Sequence, residues 1–164
     1  MTNNFSLLSL FTTGDIMTLI ISLMLVVASV MSWAIIIEKI RLWRAQKRTQ
    51  VKIDEHMDIE LELDRVLRPY DKNLWFLSMV SYVAPFVGLF GTIWGVMDSF
   101  AAIGVNQSVS IGVIGPGLAT ALGTTALGLI AAVPAAIAYQ YFSKRADELY
   151  DSLNYAAHNN RVKK

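Results

Sequence analysis

The sequence predicts an all-α, polytopic membrane protein with three transmembrane helices, and three observations carry that prediction. Of its 164 residues 54% are hydrophobic, and mean hydropathy is +0.46. Ordinary soluble domains hold roughly 45–50% apolar residues even with glycine counted. Two stretches are long and nearly free of charge: Ile16 to Ile37, 22 residues with none, and Asn73 to Ser143, 71 residues with only Asp98. About 20 apolar residues cross a hydrocarbon core of about 30 Å. Finally, all 14 Lys and Arg fall within residues 39–72 or 144–164, so the cations are segregated from the apolar runs.

The elements follow in chain order. Residues 1–15 precede the first span, which occupies 16–37. A charged segment at 38–73 leads to a second span at 74–103. The polar, glycine-bearing turn "GVNQSVS", Gly104 to Ser110, interrupts the second apolar stretch and makes it a tight hairpin. The third span, 111–143, runs on as a helix toward a charged tail at 144–164. Basic loops stay in the cytoplasm. The 38–73 segment holds nine Lys and Arg and the tail five, whereas the N-terminus and the 104–110 turn hold none. The N-terminus and the turn are therefore expected outside, and the 38–73 segment and the tail inside, which requires an odd number of spans. A cleaved leader would carry its positive charge before the apolar run, not after it. Trp33, Trp75, Tyr139 and Tyr141 fall where an interfacial aromatic belt belongs.

Between the first two spans, the chain from Glu38 has no glycine or proline before Pro69, which predicts a helix continuing out of the membrane. Within it "MDIELELD", Met57 to Asp64, alternates apolar and acidic as a strand would. Ile59, Leu63 and Val66 also suit one helix face, and a lone strand would lack a partner, so helix is the preferred reading. Leu149, Leu153 and Ala156 extend helical spacing into the tail. Cysteine is absent, and His56 and His158 lie apart in charged segments, read as solvated. No nucleophile and base pair, phosphate loop or metal-ligand spacing appears. The expectation is a chain that is no enzyme, holds no metal or cofactor, and binds no nucleic acid.

The second and third spans concentrate the informative residues. Nine of the ten glycines lie between Gly88 and Gly128. In lipid, helices associate through close packing, which small residues permit. Gly88, Gly91 and Gly95 in the second span, and Gly117, Gly123 and Gly128 in the third, form small-xxx-small pairs that predict packing within the chain and between copies. Thr92 shares a face with Gly88, Gly95 and Ser99. Thr120, Thr124 and Thr125 lie in the third span. Thr92 is 15 residues before position 107 and Thr125 18 after it, so at ~1.5 Å per residue they sit ~22 and ~27 Å below the turn. Two readings stay open for these hydroxyls: backbone bonding and helix stapling, or a polar pathway. A pathway that moves protons needs a titrating group, and Asp98 is the one candidate in this hairpin. It is either part of the path or an acid hydrated near the outer interface. Pro116 can open the third helix at little cost, whereas Pro134 is internal and should kink it.

"APFVGLFGTIWGVMDSF" (Ala84 to Phe100) and "PGLATALGTTALGLIAAVPAAIAY" (Pro116 to Tyr139) resemble the two signature helices of the TolQ/ExbB/MotA proton-channel family. "SWAIIIEKIRLWRA" (Ser32 to Ala45) leans toward its TolQ branch. The resemblance implies homopentamers in the bacterial inner membrane surrounding a single-span partner of the TolR or ExbD type, whose intramembrane aspartate titrates. It implies that the channel subunit supplies a threonine-lined wall, with Thr92 and Thr125 matching the family's threonines, and that proton flow drives force toward the periplasm, in concert with a TolA- or TonB-like protein. The chain departs from the family where the motif P-G-I-A-E-A-L has glutamate and this sequence has Thr120. The stretch between the first two spans is also much shorter than the family's. Asp98, near the mirror position about the turn, is expected to replace part of the missing acid. A TolQ-like stator subunit is the leading expectation, with an ExbB-like subunit or a non-conducting scaffold as alternatives. The MotA branch, with four spans and a larger cytoplasmic domain, fits less well.

Overall fold

Apolar side chains all round a helix leave it no aqueous face, so such helices end in lipid or against each other. The computed structural model describes residues 16–46, 67–106 and 110–162 and shows that arrangement. Its three long helices are α1 (Ile16–Gln46), α2 (Leu74–Asn106) and α3 (Ile111–Val162). All three are long and apolar enough to cross a membrane, and no strand occurs among the described residues. Helix α1 runs past Ile37 without a break, as the glycine-free stretch after it predicts. Helix α3, with 52 residues, spans ~78 Å at ~1.5 Å per residue, far beyond a hydrocarbon core. It continues through Pro116 and Pro134, and α2 continues through Pro85. Pro116 lies in the second turn of α3, not the first. The helix or strand reading of 57–64, and His56, lie outside the described residues.

The core gathers where the three helices meet toward the 38–73 end. Ile21, Leu25, Ile35 and Ile36 of α1 pack with Leu74, Leu77, Val80 and Ala84 of α2, and with Ala131, Ala132, Ala135, Ala138 and Phe142 of α3. Alanine on α3 lets the other two helices approach its backbone. The opposite faces carry Phe86, Phe90, Ile93, Met97, Leu129, Ile130, Val133 and Ile137 exposed. A patch of that size would be untenable in water and is ordinary against lipid or a neighbouring helix.

A helical turn at 67–71 precedes α2, and the chain changes direction at Asn73, whose φ of 65° lies in the left-handed region. Asparagine is among the few non-glycine residues that tolerate it. The turn is tied to α1 by Lys39, which is wholly enclosed. Its Nζ donates to the carbonyls of Pro69 at 2.8 Å and Tyr70 at 2.7 Å. Those carbonyls belong to a helix end with no further turn to bond them. Trp43, one turn on from Lys39, meets the Tyr70 ring at 4.7 Å between centroids.

Candidate functional site

Helices α2 and α3 form an antiparallel hairpin whose seam is built from the small residues. A Cβ added to Gly88 would lie 2.9 Å from the Thr124 carbonyl oxygen and 3.2 Å from Gly128 Cα. At Gly91 it would meet Thr124 Oγ1 at 2.5 Å, and at Gly95 Ala121 Cβ at 2.7 Å. Gly128 faces Ala84 and Gly88, and Gly117 faces Ser99. Gly123 is buried. The seam thus pairs residues 84, 88, 91, 95 and 99 of α2 with 128, 124, 121 and 117 of α3, each set recurring at three- or four-residue steps as one helix face requires. Side chains larger than these would hold the backbones apart.

That closeness brings the threonines together. Thr92 Oγ1 and Thr125 Oγ1 are in direct hydrogen-bond contact across the seam. Thr92 Oγ1 also lies 3.2 Å from the Gly88 carbonyl, one turn back on its own helix, and 3.4 Å from the Ala121 carbonyl on α3. Thr125 Oγ1 reaches the same Gly88 carbonyl at 3.2 Å, and so does Thr124 Oγ1, which also donates to Ala121 at 2.7 Å. Three hydroxyls therefore converge on one backbone oxygen. Each has a single proton to donate. Thr92 has three acceptors within reach, so rotation about its C–O bond exchanges one hydrogen bond for another without moving a heavy atom.

The four threonines divide by environment. Thr124 is completely enclosed, whereas Thr92 and Thr125 are half-buried and border the outer surface of the seam. Thr120 is buried and returns its hydroxyl to the Pro116 carbonyl at 2.9 Å, and Ser99 does the same with Gly95 at 2.8 Å. Such i−4 bonds satisfy a hydroxyl within its own helix. Asp98 is exposed although Ser99 beside it is buried, so the acid points away from the seam that holds the threonines. It lies six residues from Thr92, ~9 Å along α2 at ~1.5 Å per residue. Asp98 and Thr120 do not share an environment, the acid being exposed and the hydroxyl buried. Among the described residues no group of three His, Cys, Asp or Glu is placed to hold a metal ion.

Two features escape a reading of side-chain types. The Gly88 carbonyl is the common acceptor, and a backbone atom leaves no mark in composition. Thr18 and Ser22 of α1 are both buried against the hairpin, with Ile21 between them reaching the Gly91 position at 3.2 Å. Ser22 Oγ has no hydrogen-bond partner among the described residues. The four-residue spacing of Thr18 and Ser22 is the signal that marks this inward polar face.

Comparison with known proteins agrees with the geometry. The sequence profile described as the MotA/TolQ/ExbB proton channel family matches residues 26–154. The chain is 42% identical over 91 residues to the Tol-Pal system protein TolQ of Pseudomonas aeruginosa, which is 56% of this chain and 39% of that protein. It is 40% identical over 112 residues to the biopolymer transport protein ExbB of Pseudomonas putida, covering 66% of this chain and 33% of the relative. With ExbB of Neisseria gonorrhoeae it shares 31% over 113 residues, 68% of this chain and 51% of that protein. The chain thus spans about a third to a half of the length of these relatives.

Proposed function

The chain belongs to the MotA/TolQ/ExbB proton channel family, and on that footing we propose that it is a TolQ-like stator subunit of the bacterial inner membrane. It forms a proton channel with a single-span, TolR-like partner bearing an intramembrane aspartate. Together they convert the proton-motive force into mechanical work for outer-membrane integrity and cell division. The observation that carries this reading is the Thr92–Thr125 hydroxyl pair, half-buried at one depth on the two signature helices.

Threonine hydroxyls pass hydrogen bonds along but do not store a proton at physiological pH. The titrating step falls to the partner's carboxylate, and the Thr92–Thr125 rim is the wall it faces. Several copies of this chain, five by family resemblance, surround that helix and use the exposed apolar faces of α2 and α3 for contact with each other and with lipid. Asp98, six residues outward from Thr92, is the hydrated acid from which protons enter, and it takes over part of the role of the glutamate absent at position 120. A charge crossing 100 mV releases about 2.3 kcal/mol, enough to bias a conformational step.

Proton flux into vesicles holding this chain and its co-purifying single-span partner tests the reading. Thr92→Ala and Thr125→Ala are each expected to lower partner-dependent flux about tenfold, the scale of one lost hydrogen bond of ~1 kcal/mol or slightly more. Unchanged flux with assembly intact would return both hydroxyls to helix stapling. Asp98→Asn is expected to reduce flux without abolishing it, and a variant that conducts as well as the wild type removes Asp98 from the path. An ExbB-like role is the second reading, favoured by the 40% identity to ExbB of Pseudomonas putida. Co-purification with an ExbD-type partner in preference to a TolR-type one would select it.

A further inference from the structure

We propose that the groove between the inner ends of α1 and α3 binds the phosphate of an anionic phospholipid headgroup. A cavity of about 330 Å³ lies there, lined by Ile40, Trp43 and Arg44 of α1 and by Tyr141, Phe142 and Arg145 of α3. Its chemistry is one-sided. Two arginines from two different helices line it together with aliphatic and aromatic side chains, and among the described residues the lining contains no carboxylate. Both arginines are exposed. Arg145 is held in place by the Tyr141 ring, 5.5 Å from its centroid, a cation–π contact that leaves its N–H edges free for an anion. Trp43 also lines the groove, and its indole N–H is enclosed with no acceptor among the described residues.

The neighbouring cavity sharpens the contrast. It is larger, about 770 Å³, but Glu38 and Asp71 stand in it with Arg68 and Lys72, so its charges offset one another. Of these two cavities, the α1–α3 groove is the one whose described lining carries net positive charge.

Depth selects a lipid over a soluble anion. The apolar runs end at Ile37 and Ser143, so Arg44 and Arg145 lie seven and two residues beyond them, ~10 and ~3 Å further at ~1.5 Å per residue. The polar layer is about 5–8 Å thick on each side, the difference between a core of about 30 Å and a bilayer of about 40–45 Å. Arg145 therefore lies within the polar layer, and Arg44, just beyond it, reaches back to phosphate level with its long side chain. Ile40 and the Tyr141 ring are exposed beside the arginines and can receive the glycerol and the first methylenes. Guanidinium forks suit a phosphate's oxygens, and basic pockets between transmembrane helices on the cytoplasmic side are suited to anionic headgroups. The site depends on where the spans sit and not on whether the chain conducts protons.

Native mass spectrometry of the full, delipidated protein measures the site directly, with phosphatidylglycerol, phosphatidylcholine and glycerol 3-phosphate as probes. Phosphatidylglycerol is expected to bind more tightly than phosphatidylcholine. Arg44→Gln with Arg145→Gln should weaken it about 25-fold, roughly fivefold per guanidinium. The control pair Arg41→Gln with Lys144→Gln, which removes two exposed cations outside the cavity, should change binding less than about twofold. Arg145→Gln alone gives a roughly fivefold loss and carries the comparison if the double variant loses its helical circular dichroism. Equal affinity for both lipids, or an equal loss in the control pair, overturns the site. Competition by glycerol 3-phosphate as effective as by the lipid overturns the assignment to lipid.

Discussion

Gly128→Val is expected to force α2 and α3 apart and to destabilise the protein by about 1–3 kcal/mol or more, the cost of overpacking a filled interior. A Cβ at position 128 would lie 2.7 Å from the Ala84 carbonyl oxygen and 3.1 Å from Gly88 Cα. Both obstacles are backbone atoms, so no rotamer change relieves the contact. The helices must separate, and separation also stretches the Thr92–Thr125 contact and the hydrogen bonds to Gly88. Thermal unfolding in detergent should show a clearly lowered midpoint, and partner-dependent flux should fall with it. Gly104→Ala is the matched control, because nothing lies within 4 Å of its Cβ position and alanine favours helix over glycine by ~1 kcal/mol. If Gly128→Val unfolded at the wild-type midpoint, the seam would be looser than its backbone contacts imply.

Lys39→Met should be the most damaging single change outside the hairpin. Methionine matches the length of the lysine stem but carries no N–H, so the carbonyls of Pro69 and Tyr70 lose their donor. An unsatisfied buried acceptor costs about 1–3 kcal/mol. Removing the ammonium also removes its own desolvation cost, which offsets part of the loss. A net destabilisation of about 2 kcal/mol is expected, since two acceptors are stranded for one charge removed. Lys39→Arg keeps donors but replaces a compact ammonium with a planar fork in a fully enclosed site, so it should rescue only in part. The near-ultraviolet circular dichroism of the Trp43–Tyr70 contact reports the turn locally, and the detergent melting midpoint reports the whole. A Lys39→Met protein with both signals unchanged would mean that water or lipid reaches those carbonyls.

Most of the architecture is legible in the sequence. Transmembrane helices announce themselves by length and absence of charge, because an unpaired backbone in hydrocarbon is prohibitive and helix closes every bond locally. The 22-residue run from Ile16 to Ile37 and the hairpin around Gly104 to Ser110 needed nothing more. The glycine spacing pointed to a close seam, and counting residues from the turn brought Thr92 and Thr125 to one level. Family membership was legible for the same reason, since a channel wall is written in contiguous helix motifs and not in residues gathered from scattered loops.

What the sequence by itself determined was therefore the class of protein, the number of spans, and the two helices that hold the candidate relay. What only the tertiary structure decided was how four similar threonines divide their hydrogen bonds. Composition cannot separate Thr120, which bonds its own helix, from Thr125, which crosses to α2. A rotation of roughly 100° per residue along the helix decides it, together with which backbone carbonyl the partner helix presents. Nor could it show Lys39, the first basic residue after an apolar run, to be enclosed and donating to a turn 30 residues away. Read along the chain, it is an ordinary interfacial cation. Its role exists only because the 67–71 turn folds back against α1, leaving two carbonyls that no helix can satisfy.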